Sequence, residues 1–143
     1  MFTEFDEYLK AFQSDDFNFN YWNDEGFTIA QEMLEAFQDA DWQELAGCLT
    51  ERTDGWKKRL AYCLDDNTEP RQLDLLLRMA DTEDDELLET VIDSLRIFLT
   101  GEGLARLAGN GELIESARAL LPRAGRPGQM VIMNFLVKVG AGK

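Results

Sequence analysis

Apolar residues recur along this chain at steps of three and four positions, the spacing of one face of an α-helix. Eight segments carry the pattern: 2–12, 28–37, 41–49, 56–64, 70–80, 87–99, 113–121 and 131–139. No segment shows sustained alternation of polar and apolar residues between Asn-Gly or Asp-Gly turns, the pattern of a β-hairpin. The sequence therefore predicts an all-α protein of about eight helices.

Several helix starts carry recognisable capping residues. Thr28 with Gln31 and Asp41 with Glu44 have the spacing of capping boxes. Pro70 fits the first turn of a helix, where its missing N–H has no intrahelical partner to lose. We therefore expect helices to begin at these three places.

Short polar connectors join the predicted helices, so successive helices are expected to pack as antiparallel hairpins. In the middle of the chain a helix pair repeats about every thirty residues, a short version of an α-solenoid repeat. We expect one domain over 1–143: an N-terminal helix and an aromatic, acidic loop in 1–26, helical hairpins in 27–99, and C-terminal helices in 100–143.

The charge of the chain is strongly asymmetric. It contains 28 Asp and Glu against 14 Lys and Arg, a formal net charge of −14. Residues 1–51 hold 13 acids and the single base Lys10, whereas residues 101–143 hold 3 acids and 6 bases. Such a charge favours a basic partner and opposes direct binding to nucleic acid.

Composition also excludes several classes of function. The chain has no histidine, which excludes Ser-His-Asp and Cys-His catalysis and any zinc site with histidine ligands. The first ten residues are acidic, unlike a signal peptide, and no apolar run approaches the ~18 residues of a membrane span. We expect a cytoplasmic protein without cofactor or metal. Cys48 and Cys63 lie within apolar helical patterns and are expected to be reduced, buried thiols.

The most informative stretch is 14–26, which combines aromatic rings with carboxylates between two predicted helices. One interpretation is that the rings cover the open end of the helical array. The other is an aromatic anchor patch, surrounded by acids, for a basic partner. Both interpretations hold if alternate aromatic rings face the protein core and the solvent. The candidate partner-binding residues here are Asp15, Asp16, Phe17, Phe19, Tyr21, Trp22, Asp24 and Glu25.

Two further acidic clusters lie at predicted turns. The run 81–86 contains Glu83, Asp84 and Asp85, and Asp65 and Asp66 precede Glu69 at the previous turn. The spacing of 81–86 does not match a calcium loop. Its first interpretation is the acidic start of a helix, favoured by the helix dipole; the second is a partner interface, in which both turns align into one acidic ridge.

Glycine-containing segments at 101–103 and 109–111 superficially resemble phosphate-binding loops. Neither follows a strand or precedes a Lys-Ser/Thr pair. We therefore interpret these glycines as helix stops and turns. Nothing marks one pair of carboxylates as catalytic, so an enzyme is the last of our hypotheses.

The segment 41–99 resembles HEAT-like helical repeats. The resemblance rests on the helix opened by Trp56-Lys57-Lys58-Arg59-Leu60, the leucine-rich Leu73–Leu77 helix, and the acidic start and long apolar face of Asp84–Leu95. Residues 1–26 and 101–143 match no repeat. Small acidic proteins of this kind are similar to the immunity proteins of bacterial polymorphic toxin systems, including contact-dependent growth inhibition.

That resemblance implies that the chain binds the C-terminal domain of a cognate toxin. The high net negative charge argues for a monomer, which would form a 1:1 heterodimer with the toxin domain. The toxin domain would be basic and a nuclease, with a ribonuclease favoured, and its active-site surface would be occluded. An alternative is an α-solenoid scaffold that binds an endogenous protein or peptide. A DNA mimic would require regularly spaced carboxylates, whereas the acids here are concentrated near the N-terminus.

Overall fold

The described part of the chain consists of nine α-helices and contains no β-strand, which confirms the predicted all-α helical array. The computed structural model describes residues 1–12, 21–64 and 69–141, except for the side chains of Asn23 and Asp24. The helices are α1 (Phe2–Lys10), α2 (Phe27–Glu35), α3 (Asp39–Cys48), α4 (Asp54–Cys63), α5 (Pro70–Met79), α6 (Asp85–Ser94), α7 (Gly101–Ala108), α8 (Gly111–Leu120) and α9 (Arg126–Lys138).

Four short helical segments complete these elements. A π-helical turn, Trp22–Gly26, leads directly into α2. Single 3₁₀ segments extend α3, α6 and α8, over Leu49–Glu51, Leu95–Phe98 and Leu121–Arg123.

Helices in this array pack against helices one, two or three places further along the chain. α4 and α6 share the most extensive interface, and α2 packs on α4 while α9 packs on α6. Inside the α4–α6 interface the buried Ser94 hydroxyl donates a hydrogen bond of 2.6 Å to the carbonyl of Ala61. Contacts between alternate helices are typical of stacked helical hairpins. None of the helices in the described ranges is long and apolar enough to cross a bilayer.

A buried polar cluster fastens α1 to α4. The Asp6 side chain is only 9% exposed, and Arg52 donates to both of its oxygens, from Nε at 3.0 Å and from Nη2 at 2.8 Å. The indole Nε1 of the fully buried Trp56 donates to Asp6 Oδ1 at 3.1 Å. Burial by itself raises the pKa of Asp6, but Arg52 and Lys10 outweigh it and hold that pKa below its usual value. The aspartate therefore stays ionised within the packed interior.

Two helix starts differ from the predicted ones. α2 continues from the π turn without a side-chain cap, so Thr28 is not a capping residue. The first amide of α2, that of Phe27, already donates to the Trp22 carbonyl in the preceding turn. Gln31 instead donates to the Cys63 carbonyl on α4 at 3.2 Å. α3 begins at Asp39, before the predicted Asp41, because Asp41 Oδ2 accepts from the Gln38 amide at 2.9 Å.

The sequence patterns miss helix α7 altogether. Two of its first three residues are glycines, which lower helix propensity and favour the incorrect assignment of 101–103 as a helix stop. Gly101 has a positive φ of 55°, and Gly103 lies where a Cβ would collide with the carbonyl oxygen of Phe98. α7 therefore depends on close backbone packing rather than on propensity.

The Gly103→Ala substitution is expected to lower the free energy of unfolding by about 1–3 kcal/mol, because the backbone at Phe98 must move to admit a methyl group. Gly47→Ala within α3 is the matched control, since a Cβ added there would have no atom within 4 Å. The control should raise the free energy by about 0.5–1 kcal/mol through helix propensity. Urea unfolding followed by circular dichroism measures both. Stabilisation by both substitutions would contradict the close approach at Gly103.

Candidate functional site

Part of the predicted partner-binding stretch lies outside the described residues. This holds for Asp15, Asp16, Phe17 and Phe19, and for the side chain of Asp24. Their roles as partner-binding residues stay predictions.

Trp22 lies in the interior of the protein, which corrects its assignment as an exposed anchor. Its side chain is 0% exposed. The ring packs 5.1 Å from the Phe12 ring and 6.0 Å from the Tyr62 ring, and the guanidinium of Arg59 lies over it at 5.6 Å. The π turn points the indole towards α1 and α4, so Trp22 covers one end of the hydrophobic core.

Tyr21 and Glu25 remain at the surface of the same helical turn. Tyr21 is 40% exposed, and its ring stacks on Phe12 with centroids 5.9 Å apart and planes inclined by 7°. Glu25 is exposed one turn later. The Tyr21 side chain is therefore partly exposed while the next ring, that of Trp22, is buried, and the exposed Glu25 follows on the same turn.

The predicted acidic run at 83–85 lies at the start of α6. Asp84 caps the helix by accepting from the Leu87 amide at 2.9 Å, and it lies 3.6 Å from Lys58 Nζ. Asp85 accepts from Arg123 Nε at 3.0 Å and from Nη2 at 2.9 Å, which lowers the pKa of its carboxyl. Glu83 is exposed. Two of the three carboxylates thus have structural roles within the chain, as the helix-start interpretation expects.

The second half of the predicted acidic ridge is only partly described. Asp65 and Asp66 lie outside the described residues. Glu69 precedes α5, where Oε2 accepts from the Arg71 amide at 2.9 Å and Oε1 accepts from Arg71 Nε at 2.8 Å. Both oxygens of Glu69 therefore act at the start of α5.

A cluster around Arg71 joins the first turns of α3 and α5. The Arg71 guanidinium lies 5.3 Å from the ring centroid of Trp42 and donates from Nη1 to Asp39 Oδ1 at 2.8 Å. Trp42 is 7% exposed, and 45% of the Arg71 side chain is exposed. The carboxylates of Asp39 and Glu69 and the indole together surround one cation at the protein surface.

Two cavities flank this cluster, and Trp42 and Arg71 line both. The first, of about 190 Å³, lies between α2 and α5 and reaches Glu35 and Gln72. The second, of about 440 Å³, lies between α3 and α5 and reaches Asp74 and Arg78. The two cavities share the walls formed by Trp42 and Arg71, and we refer to them together as the Trp42 groove.

Helices α2 and α3 carry several exposed acids. Glu32, Glu35 and Glu44 on α2 and α3 are exposed, and none of them forms an ion pair with another described residue. The nearby bases Arg52 and Arg71 are already bonded to carboxylates of the chain. The exposed surfaces of α2 and α3 therefore present uncompensated negative charge.

Sequence reasoning misses the residues that build the groove. The apolar pattern places Trp42 on a helix face and assigns it no further role, and it does not single out Arg71 or Gln72. The Arg71–Asp39 contact joins positions 32 apart, and helical periodicity carries no information about such pairs. The sequence signal that could have indicated this contact is a tryptophan in the first turn of one predicted helix and an arginine in the first turn of another.

Neither cysteine forms a disulfide. Cys63 is buried, as predicted, whereas Cys48 is half-buried. Burial raises the pKa of the Cys48 thiol, which therefore stays protonated and unreactive at neutral pH. In the described ranges no group of His, Cys, Asp or Glu side chains is arranged to hold a metal ion.

Comparison with known proteins adds no relative: no family model matches this sequence, and neither a curated protein nor a solved structure shows significant similarity to it.

Proposed function

We propose that this chain is a cytoplasmic immunity protein that binds and neutralises the C-terminal domain of a cognate antibacterial toxin. The toxin domain is a nuclease, with a ribonuclease favoured, and its basic active-site surface is the part that the chain covers. Neutralisation is steric and electrostatic, without catalysis by the chain itself.

The observation that carries this proposal is the excess of exposed carboxylates on α2 and α3, where Glu32, Glu35 and Glu44 form no ion pair with another described residue. A basic nuclease surface attracts the negative charge of its nucleic-acid substrate, and an acidic protein surface offers the same sign of charge. Complementary electrostatic potentials on two binding partners raise their association rate and disfavour binding to other proteins. Tyr21, stacked on Phe12 at the surface, is the described aromatic residue best placed to contribute an anchor contact.

The experiment that tests the proposal begins with the toxin domain captured by the tagged chain from its source organism. The captured domain is then expressed with and without this chain, and growth and nuclease activity are measured. We expect this chain to restore growth and to abolish nuclease activity at a 1:1 ratio. A captured protein that lacks toxicity, or whose activity persists in the complex, would contradict the proposal.

The association rate provides a charge-specific test with a matched control. The double substitution Glu32→Lys/Glu44→Lys should slow association with the toxin domain by about tenfold at low salt, because it reverses charge on the proposed binding face. Glu102→Lys/Glu112→Lys changes net charge equally in the C-terminal segment and should change the rate little. Stopped-flow measurements at two ionic strengths record both effects. Equal effects of the two double substitutions would show that only total charge matters.

A scaffold function is the second candidate, and an exposed apolar stripe on α9 favours it. Met130, Met133 and Val137 are 69%, 54% and 62% exposed and follow the spacing of one helix face. A scaffold that bound an apolar segment there would associate at a rate nearly independent of salt.

A further inference from the structure

Helix α9 carries three of the six large apolar side chains that are exposed in the described part of the chain. Met130, Met133 and Val137 lie three and four positions apart, which places them along one face of the helix. The other face is buried through Ile132 and Phe135, and it packs on α6 and α8. Helix α9 is therefore apolar on its outer face as well as on its inner face.

Two cations lie at the ends of this apolar stripe. Arg126 begins α9 and Lys138 ends it, 12 positions later, and both side chains are exposed. Neither forms an ion pair with another described residue, and α9 itself contains no Asp or Glu. The first turn of a helix usually favours acidic side chains, whereas the first turn of α9 carries a base. In a chain of net charge −14, this helix is thus an exception.

Two acids of neighbouring helices approach the inner side of α9. Glu89 on α6 is half-buried and faces Gly128, a buried position of α9. Glu112 on α8 is exposed, and it lines a groove together with Val139, which is buried. None of the three stripe residues lines that groove. The exposed face of α9 therefore combines an apolar stripe with two positive side chains and no negative one.

The charges on this face disfavour a second copy of α9 as its cover. In an antiparallel pair of α9 helices matched along the stripe, Arg126 of one copy lies near Lys138 of the other. In a parallel pair each base lies beside the same base of the other copy. Like charges that face each other across an interface oppose binding, and two whole chains of charge −14 also repel. The complementary cover is an apolar surface with acids at its ends.

We propose that the outer face of α9 is a docking surface for an amphipathic helix of a partner protein, with an acidic residue at each end of its apolar face. The apolar side chains of that helix pack on Met130, Met133 and Val137, and the flexible thioethers of the two methionines adapt to their shape. The two carboxylates pair with Arg126 and Lys138. Because a helix rises 1.5 Å per residue, these bases are about 18 Å apart along the axis, which sets the spacing of the partner's acids.

The test uses two synthetic amphipathic peptides of about 16 residues, with Leu along one helix face and Gln elsewhere. One carries two Glu residues at the separation of Arg126 and Lys138, and the other carries Lys at the same two positions. Binding is followed by ¹H–¹³C NMR through the methyl signals of Met130 and Met133, so that only contacts at α9 are recorded. NaCl at about 0.15 M screens the long-range effect of the net charge.

We expect the acidic peptide to shift both methionine methyl signals in a saturable manner, with a Kd of about 10–300 μM. The basic peptide should bind at this face at least about fivefold more weakly, because two attractive charge pairs become repulsive. Absence of saturation by the acidic peptide, or equal shifts with the two peptides, would overturn the proposal.

Three single substitutions at exposed positions locate the site. Met133→Gln replaces an apolar side chain by a polar one of similar size and helix propensity, so the fold should be retained. It should weaken the acidic peptide at least about fivefold, as read from the Met130 methyl signal. Arg126→Gln should reduce the preference for the acidic peptide at least about twofold. Unchanged binding in Met133→Gln would refute the site.

Arg78→Gln is the matched control for the loss of one positive charge. Arg78 lies on α5, is exposed, and forms no ion pair with another described residue. Its substitution should leave the Kd values of both peptides unchanged. An effect equal to that of Arg126→Gln would show that only total charge matters and would contradict the charge pairing at α9.

Two further measurements test other covers for the same face. Sedimentation velocity over a range of protein concentrations detects self-association, and flotation with phosphatidylcholine vesicles containing about 30% phosphatidylserine detects membrane binding. We expect Met133→Gln to change neither measurement. Self-association or vesicle binding that Met133→Gln abolishes would assign the face to a second copy or to a membrane, and would overturn the proposal. None of these tests uses a toxin, so the inference does not depend on the proposed immunity function.

Discussion

The Asp6→Ala substitution is expected to lower the free energy of unfolding by about 3–5 kcal/mol, the range measured when one partner of a buried ion pair is removed. The substitution leaves the guanidinium of Arg52 and the indole N–H of Trp56 without their acceptor, and Trp56 is fully buried. It also removes the polar link between α1 and α4. Urea unfolding at pH 7 followed by tryptophan fluorescence measures the loss.

Glu7→Ala is the matched control for Asp6→Ala. Glu7 lies on the same helix with 67% of its side chain exposed and contacts Lys10 at 3.4 Å. Exposed pairs contribute roughly 0–1 kcal/mol, so this substitution should change the free energy of unfolding little. Equal effects of the two substitutions would show that total negative charge, rather than the buried cluster, determines stability.

The Asp6 cluster also has a defined dependence on pH. The pKa of Asp6 is lowered in the folded protein, so its stabilising effect is complete above the unfolded value of about 4. The effect is lost as the pH falls through the lower, folded pKa. We therefore expect the stability difference between the wild-type protein and Asp6→Ala to be constant from about pH 5 to 7 and to shrink below about pH 4.

The Trp22→Ala substitution is expected to cost about 3–5 kcal/mol, because it opens a large cavity next to Phe12, Tyr62 and Arg59. Trp22→Phe should cost much less, since it keeps most of the ring volume and removes an indole N–H that has no acceptor among the described residues. Thermal and urea unfolding measure both variants. A nearly neutral Trp22→Ala would show that the indole is not part of the core.

Tyr21→Ala is the control that distinguishes packing from partner binding. Tyr21 is exposed next to the buried Trp22, so its removal should lower the free energy of unfolding by less than about 1 kcal/mol. It should weaken toxin binding if its exposed ring contacts the partner. The opposite pattern, a large stability loss at Tyr21 and little at Trp22, would reverse the orientation assigned to this turn.

Local signals in the sequence are sufficient for most of the fold. Thr53, Glu69 and Asp84 cap α4, α5 and α6 next to strong apolar periodicity, and those helices follow the predicted positions. Prediction fails where tertiary contacts replace local signals. The start of α2 depends on a π turn that buries Trp22, and α7 depends on close packing of Gly103 against the backbone of Phe98.

The candidate site is less predictable for the same reason. Acidic composition and aromatic residues in 14–26 indicate a basic partner, but they do not show that Tyr21 faces out while Trp22 faces in. The Trp42 groove depends on the approach of the first turns of α3 and α5. The contact between them joins Asp39 and Arg71, which are 32 positions apart in the sequence.

The link between Asp6 and Arg52 also constrains the order of events during synthesis. Arg52 follows Asp6 by 46 residues, so at about 5–20 residues per second the ribosome takes roughly 2–9 s to supply it. Just before Arg52 is added, the nascent chain of residues 1–51 contains 13 acids and one base. Helix α1 therefore completes its packing against Arg52 and Trp56 only after the start of α4 has been made.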